Sequence, residues 1–179
     1  ECVHDAHLPA GLINIVNGRG DVVGAELTRH PDVAKISFTG STGVGKAIAR
    51  DGAATLKRVT LELGGKSPHI VLDDAKLEQV IPFILSSGFM NSGQACIAGT
   101  RVLVPQSRAD EIKAALKQAV EQHLKVGRPE NADTAIGPMV SKTQYQRVQG
   151  YINKGIEEGA EVLVGGPGYP EGLENGNFV

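Results

Sequence analysis

The sequence has no tryptophan, and aromatic residues make up only 4% of its 179 positions. A core without large rings must be filled by aliphatic side chains, and the 41% hydrophobic content is enough for that. Only two cysteines are present, Cys2 and Cys96, far apart in sequence. They do not read as a secreted disulfide framework, and a free thiol suits a reducing compartment such as the cytoplasm. No apolar run approaches the ~20 residues that a membrane span needs. A formal net charge of -2 gives no electrostatic reason to expect nucleic acid or an anionic membrane as partner. The five histidines, His4, His7, His30, His69 and His123, pair with no cysteine or carboxylate at metal-ligand spacing. No metal is expected.

Glycine, by contrast, is plentiful at 23 residues and is concentrated in motifs and turns. Charged residues, at 21%, match an ordinary soluble globular protein. The length suits one domain or parts of two. The chain lacks an initiator Met and a signal-peptide pattern. It begins inside a helix-like stretch and stops at Gly176-Asn177-Phe178-Val179, so a longer parent chain is expected.

Short apolar runs alternate with helical periodicity. Residues 1–8 close a helix before Pro9 and Gly11. Leu12-Ile13-Asn14-Ile15-Val16 reads as a buried strand before an Asn17-Gly18 turn. Asp21 is positioned to cap a helix from about Val22 to Arg29, which Pro31 ends. Strands are expected at 34–39 and 57–63, with a glycine turn and a helix to about Asp51 between them. A second unit begins near Gly64-Gly65. It offers strands at 69–72, 101–104 and 161–164, and helices at 76–89 (containing Pro82), 108–124 and 141–159. Residues 126–140 read as loop. The alternation predicts an α/β fold with parallel layering.

Three motifs carry chemistry. Cys96 lies in Asn91-Ser92-Gly93-Gln94-Ala95-Cys96-Ile97-Ala98-Gly99, where small neighbours leave room for a substrate carbon. A thiol is mostly protonated at neutral pH, so a nucleophilic role needs a helix N-terminus or nearby backbone N–H groups. The competing reading is a buried structural thiol, the common fate of a lone cysteine. Glu62 ends a strand, immediately before Leu63-Gly64-Gly65. A carboxylate there faces the strand's C-terminal end, where open α/β sheets bind ligands; the alternative is a solvated strand-end glutamate. Gly40-Ser41-Thr42-Gly43-Val44-Gly45-Lys46 follows a strand and opens a helix, which makes an anion site. Gly40, Gly45 and Lys46 have P-loop spacing, but Ala47 stands where a P-loop needs Ser or Thr, so that reading fails. Lys46 is expected to be a surface residue. Asn91 is expected to hydrogen-bond loop backbone near Cys96.

The Glu62-Leu63-Gly64-Gly65-Lys66-Ser67-Pro68 and Gly93-Gln94-Ala95-Cys96 motifs, with Cys96 34 residues after Glu62, resemble the aldehyde dehydrogenase superfamily in kind and order. The resemblance spans essentially the whole chain. It implies parallel sheets with helices on both faces. It places residues 1–64 in the end of an NAD(P)-binding domain and 65–179 in the first part of a catalytic domain. In such enzymes the matching cysteine attacks an aldehyde and hydride passes to the nicotinamide. Water activated by the matching glutamate then hydrolyses the thioester to an acid. Cys96 and Glu62 take those roles by resemblance. Gly40 and Ser41 fall at the cofactor phosphates, Gly45 at a close helix–strand contact, and Leu63 and Gly64 near the nicotinamide. The resemblance implies NAD or NADP as cofactor, a small aldehyde as partner, and a homo-oligomeric full-length enzyme. Parts of the cofactor site lie outside this stretch by the same comparison, so residues 1–179 alone are expected to be inactive.

Rival readings remain. A coenzyme A-acylating relative commonly lacks a carboxylate at the position of Glu62. A non-catalytic cofactor-binding or interaction domain of this fold needs neither Cys96 nor Glu62. A cysteine hydrolase needs a histidine base, and none is recognisably placed.

Overall fold

Parallel strands cannot be joined by a tight turn; they need a crossover of a dozen or so residues, usually helical. The sequence supplies such helices, and the computed structural model, which describes residues 2–179, shows the resulting α/β arrangement. The chain divides into two compact units, Glu1–Gly64 and Gly65–Val179.

The first unit contains α1 (Cys2–Asp5), a π-helical turn (Gly20–Gly24) running into α2 (Ala25–Arg29), β1 (Lys35–Gly40), α3 (Thr42–Gly52) and β2 (Arg58–Leu63). β1 and β2 pair in parallel from Lys35↔Arg58 to Gly40↔Leu63, with α3 as the crossover. Ser41 caps α3: its Oγ accepts from the Val44 N–H at 3.4 Å. The α3 face that carries Gly45, Ile48 and Gly52 is buried. Lys57, only 9% exposed, ends this crossover; its Nζ donates to the carbonyls of His30 and, at 2.6 Å, Val33.

Two expectations fail in this unit. The 12–16 run forms no strand among the described residues, and Ile15 is 85% exposed. Extended backbone becomes a strand only where a neighbour accepts its hydrogen bonds, and the described partner of β1 is β2. Asp21 does not cap a helix. It lies within the π-helical turn, and its carboxylate takes the Arg19 guanidinium, with Nε at 2.9 Å. A two-pronged charge-assisted pairing outcompetes the capping bond.

The second unit contains β3 (Pro68–Ile70), α4 (Leu77–Phe89), β4 (Arg101–Leu103), α5 (Ala109–His123) and α6 (Lys142–Glu157). β3 and β4 pair in parallel, Pro68↔Arg101 to Ile70↔Leu103, and the Val71 N–H extends the pairing to the Leu103 carbonyl at 2.9 Å. The core is Val71, Ile84 and Ile112, packed against by Leu77, Val80, Val102, Val104 and Leu116. This cluster is aliphatic, while Tyr145 and Phe178 are buried elsewhere in the unit. Arg108 ties the 72–75 loop to the start of α5, donating to the carbonyls of Asp73 at 3.0 Å and Ala75 at 2.9 Å while pairing with Glu111. Ser141 caps α6, its Oγ accepting from the Gln144 N–H at 3.3 Å.

The 161–164 run is another strand expectation that fails. It is irregular, with Val162 and Val164 exposed. Its anchor is the Glu161–Lys113 ion pair at 2.9 Å rather than a ladder. Among the described residues, no helix is long and apolar enough to cross a membrane.

Candidate functional site

In the first unit, the predicted residues gather at one edge. β1 and β2 are parallel, so their C-terminal ends lie side by side: Thr39 opposite Glu62 and Gly40 opposite Leu63. Glu62 is exposed there, with Gly64 and Gly65 next in the chain and open space where each glycine's Cβ would stand. On the neighbouring strand, Gly40 leads through Ser41 into α3. The first intrahelical bond runs from the Gly45 N–H to the Ser41 carbonyl at 2.9 Å, and the Val44 N–H is taken by Ser41 Oγ. The N–H groups of Thr42 and Gly43 precede that first bond, at the positive end of an 11-residue helix. Gly43 has nothing within 4 Å of a built Cβ, so a ligand can approach the backbone. This donor set suits an anionic group such as a dinucleotide phosphate. Gly45 is where helix and strand meet: a Cβ there would lie 2.7 Å from Leu63 Cδ2. Lys46 is exposed.

Cys96 belongs to the second unit. It occupies the tip of a turn closed by the Ala98 N–H on the Ala95 carbonyl at 3.1 Å. Its side chain is free and exposed, while Ala98 is buried beneath. No helix begins at Cys96, since β4 follows.

The approach to this turn is strained and braced. Asn91, Ser92 and Gly93 adopt φ values of +51°, +58° and +73° in succession. Left-handed backbone costs a non-glycine residue roughly 1 kcal/mol and persists only where neighbours enforce it. Asn91 is stabilised locally: its Nδ2 donates to the Gln94 carbonyl at 3.2 Å, as expected for this residue. Ser92 Oγ donates to the Gly137 carbonyl at 3.1 Å and accepts from the Gly137 N–H at 3.0 Å. Gln94 Oε1 accepts from the Val140 N–H at 2.9 Å. The 137–140 segment, read from sequence only as loop, thus clamps the strand of backbone leading to Cys96. No local signal in the sequence marks Ser92 or Gln94 as its partners, because both bonds span about 45 residues. Cys2 is exposed in α1, away from any of these features in sequence. Among the described residues, no group of three or more His, Cys, Asp and Glu side chains is arranged to hold a metal.

The first unit thus holds a carboxylate and a helix-start anion site at the end of a parallel strand pair, and the second unit, separately, an exposed thiol on a braced turn. The aldehyde dehydrogenase family profile matches residues 1–179, and the chain belongs to that family. A curated relative from Staphylococcus aureus is 51% identical over 172 residues, covering 96% of this chain and 36% of its own length. Aldehyde dehydrogenase C of Pseudomonas syringae, solved as a mutant with NAD+ and octanal, is 45% identical with a TM-score of 0.93 over 98% of this chain and 36% of its own. An aldehyde dehydrogenase from Bacillus cereus, solved with NAD+, is 43% identical with a TM-score of 0.89, covering 98% and 35%. The chain therefore spans about a third of the length of the relatives it matches.

Proposed function

We propose that this chain carries the nucleophile, the hydrolytic base and part of the cofactor site of an NAD-dependent aldehyde dehydrogenase. The observation that carries the reading is Cys96, exposed at the tip of the Ala95–Ala98 turn in a chain of this family. Cys96 Sγ attacks the aldehyde carbon, and the carbonyl electrons move to oxygen to give a thiohemiacetal. Backbone N–H groups of the turn stabilise the oxyanion. Loss of hydride from the thiohemiacetal carbon, to the acceptor that a bound nicotinamide would supply, would leave a thioester. Glu62 then takes a proton from water, whose oxygen attacks the thioester carbon, and the carboxylic acid leaves as Cys96 Sγ regains the proton. Gly40, Ser41 and the start of α3 hold the cofactor phosphates, and Leu63 and Gly64 lie along the nicotinamide. When bound, that nicotinamide supplies the hydride acceptor. NAD+ is the cofactor the reading favours, because solved relatives hold it; NADP+ is the alternative to compete against it. The unit 1–64 serves the cofactor and 65–179 the thiol chemistry. The substrate is a small aldehyde, and the full-length enzyme is a cytoplasmic homo-oligomer.

The test is Cys96→Ser in the full-length protein. Turnover with NAD+ and an aliphatic aldehyde should fall to background, because an alcohol is a far weaker nucleophile near neutral pH. An electrophile should label Cys96 before Cys2 in the unmodified protein. Retained turnover in Cys96→Ser, or activity lost as Cys2 alone is labelled, overturns the assignment.

A further inference from the structure

The downstream side of the Cys96 turn rests on a ring whose Nε2 is buried without a hydrogen-bond partner. His69 stands on β3, paired with Val102 of β4. Its imidazole lies against Gly99: a Cβ built on Gly99 would fall 2.0 Å from His69 Nε2 and 2.4 Å from Cδ2. Phe83 of α4 meets the same ring edge-on, with centroids 5.4 Å apart and planes at 86°. Nε2 is shut off from solvent and has no partner, whereas buried polar atoms are nearly always paired. At this edge of the ring, packing rather than a hydrogen bond sets its place. Gly99 is pinned from the other side, its N–H on Ser87 Oγ at 3.4 Å and its carbonyl 3.3 Å from where a Cβ of Gly88 would stand. Next to it is Ala98, whose N–H closes the turn that presents Cys96.

We propose that His69 is a positioning residue for Cys96: its ring, seated where Gly99 has no side chain, sets the height of the backbone that closes the Cys96 turn. The proposal rests on the reading of Cys96 as nucleophile. Its physical basis is that reacting groups tolerate little misplacement, a shift of about 1 Å costing up to ~100-fold in rate. Packed rings and backbone transmit such shifts because the interior has no slack to absorb them. A methyl at position 99 and the ring at position 69 cannot share the same space, so one must yield.

The experiment compares Gly99→Ala, His69→Ser and the double variant in the full-length protein. The rate of Cys96 alkylation by iodoacetamide is followed peptide by peptide, with Cys2 as internal reference, and kcat and KM are measured alongside. Gly99→Ala should lower Cys96 alkylation and kcat by about tenfold or more, while Cys2 labelling stays constant. KM should remain within about twofold, since the bound substrate is not what moves. The double variant should recover from the Gly99→Ala level to about that of His69→Ser, because serine vacates the space that the new methyl needs. A Gly99→Ala protein with ordinary alkylation and kcat overturns the proposal, as does a double variant no better than Gly99→Ala. If Gly99→Ala fails to fold, His69→Ser decides: it adds no atom, so unchanged Cys96 alkylation in it overturns the seat, and a severalfold drop supports it. Failure of the nucleophile reading looks different. Cys96→Ser would then keep its turnover, while the alkylation rates still report on the seat.

Discussion

Leu63 fills the space that a side chain at position 45 would need: the distance from a built Gly45 Cβ to Leu63 Cδ1 is 2.9 Å and to Cδ2 2.7 Å. This contact sets how closely α3 lies on β2, at the edge proposed to take the cofactor. Gly45→Ala gains roughly 1 kcal/mol of helix propensity but overpacks a close helix–strand contact, which typically costs about 1–3 kcal/mol. Net destabilisation is expected by thermal or denaturant unfolding. Leu63→Ala in the same chain should remove most of the clash, so the two changes should be strongly non-additive. Additive effects would show that Leu63 yields freely.

Glu62 tests the order of the chemistry. In Glu62→Gln, rapid mixing with aldehyde and NAD+ should give a burst of NADH followed by a slow steady state, because acylation proceeds and deacylation stalls. Loss of the burst together with turnover would place Glu62 earlier in the sequence, as the group that deprotonates Cys96.

Ser92 tests the brace on the nucleophile loop. Ser92→Ala leaves both the N–H and the carbonyl of Gly137 without their partner. Stranding part-buried groups of this kind costs about 1–3 kcal/mol, and the left-handed φ at position 92 then lacks its support. Denaturant unfolding should report the loss. A change near zero would mean that solvent replaces Ser92 at Gly137.

Asp51 supplies a pH signature. Its carboxyl is held below the usual carboxylate range by hydrogen bonds from the guanidinium of Arg50 and then of Arg29, with their charges adding to the effect. A folded-state pKa below the unfolded one gives stability that is present above the unfolded pKa of roughly 3.9 and lost as pH falls through the folded pKa. Asp51→Asn should therefore be less stable than the parent at neutral pH, and the gap should close in acid. Added salt should narrow it at neutral pH, because the partners are solvent-facing. A gap that persists at the acid end would assign the loss to packing.

The sequence by itself determined the α/β alternation, most helices, including the one that opens at Ser141, and the motifs around Glu62 and Cys96. These features are local. Periodicity, capping residues and glycine turns act over a few residues, and the family motifs are contiguous. The close helix–strand approach at Gly45 was implied by the resemblance, while its partner Leu63 came only from the structure.

Only the tertiary structure decided the rest. The apolar runs at 12–16 and 161–164 have strand composition but lack a ladder partner among the described residues, and a strand is a property of a pair. Lys57 reads as an ordinary strand-start lysine, yet its ammonium is buried on two carbonyls from before β1. The clamp of Ser92 and Gln94 on the 137–140 segment and the seat of His69 under Gly99 join residues about 45 and 30 positions apart. Such contacts follow from how the elements pack, and no short stretch of sequence encodes them. They hold Cys96 on an exposed turn while its flanks are fixed from both sides.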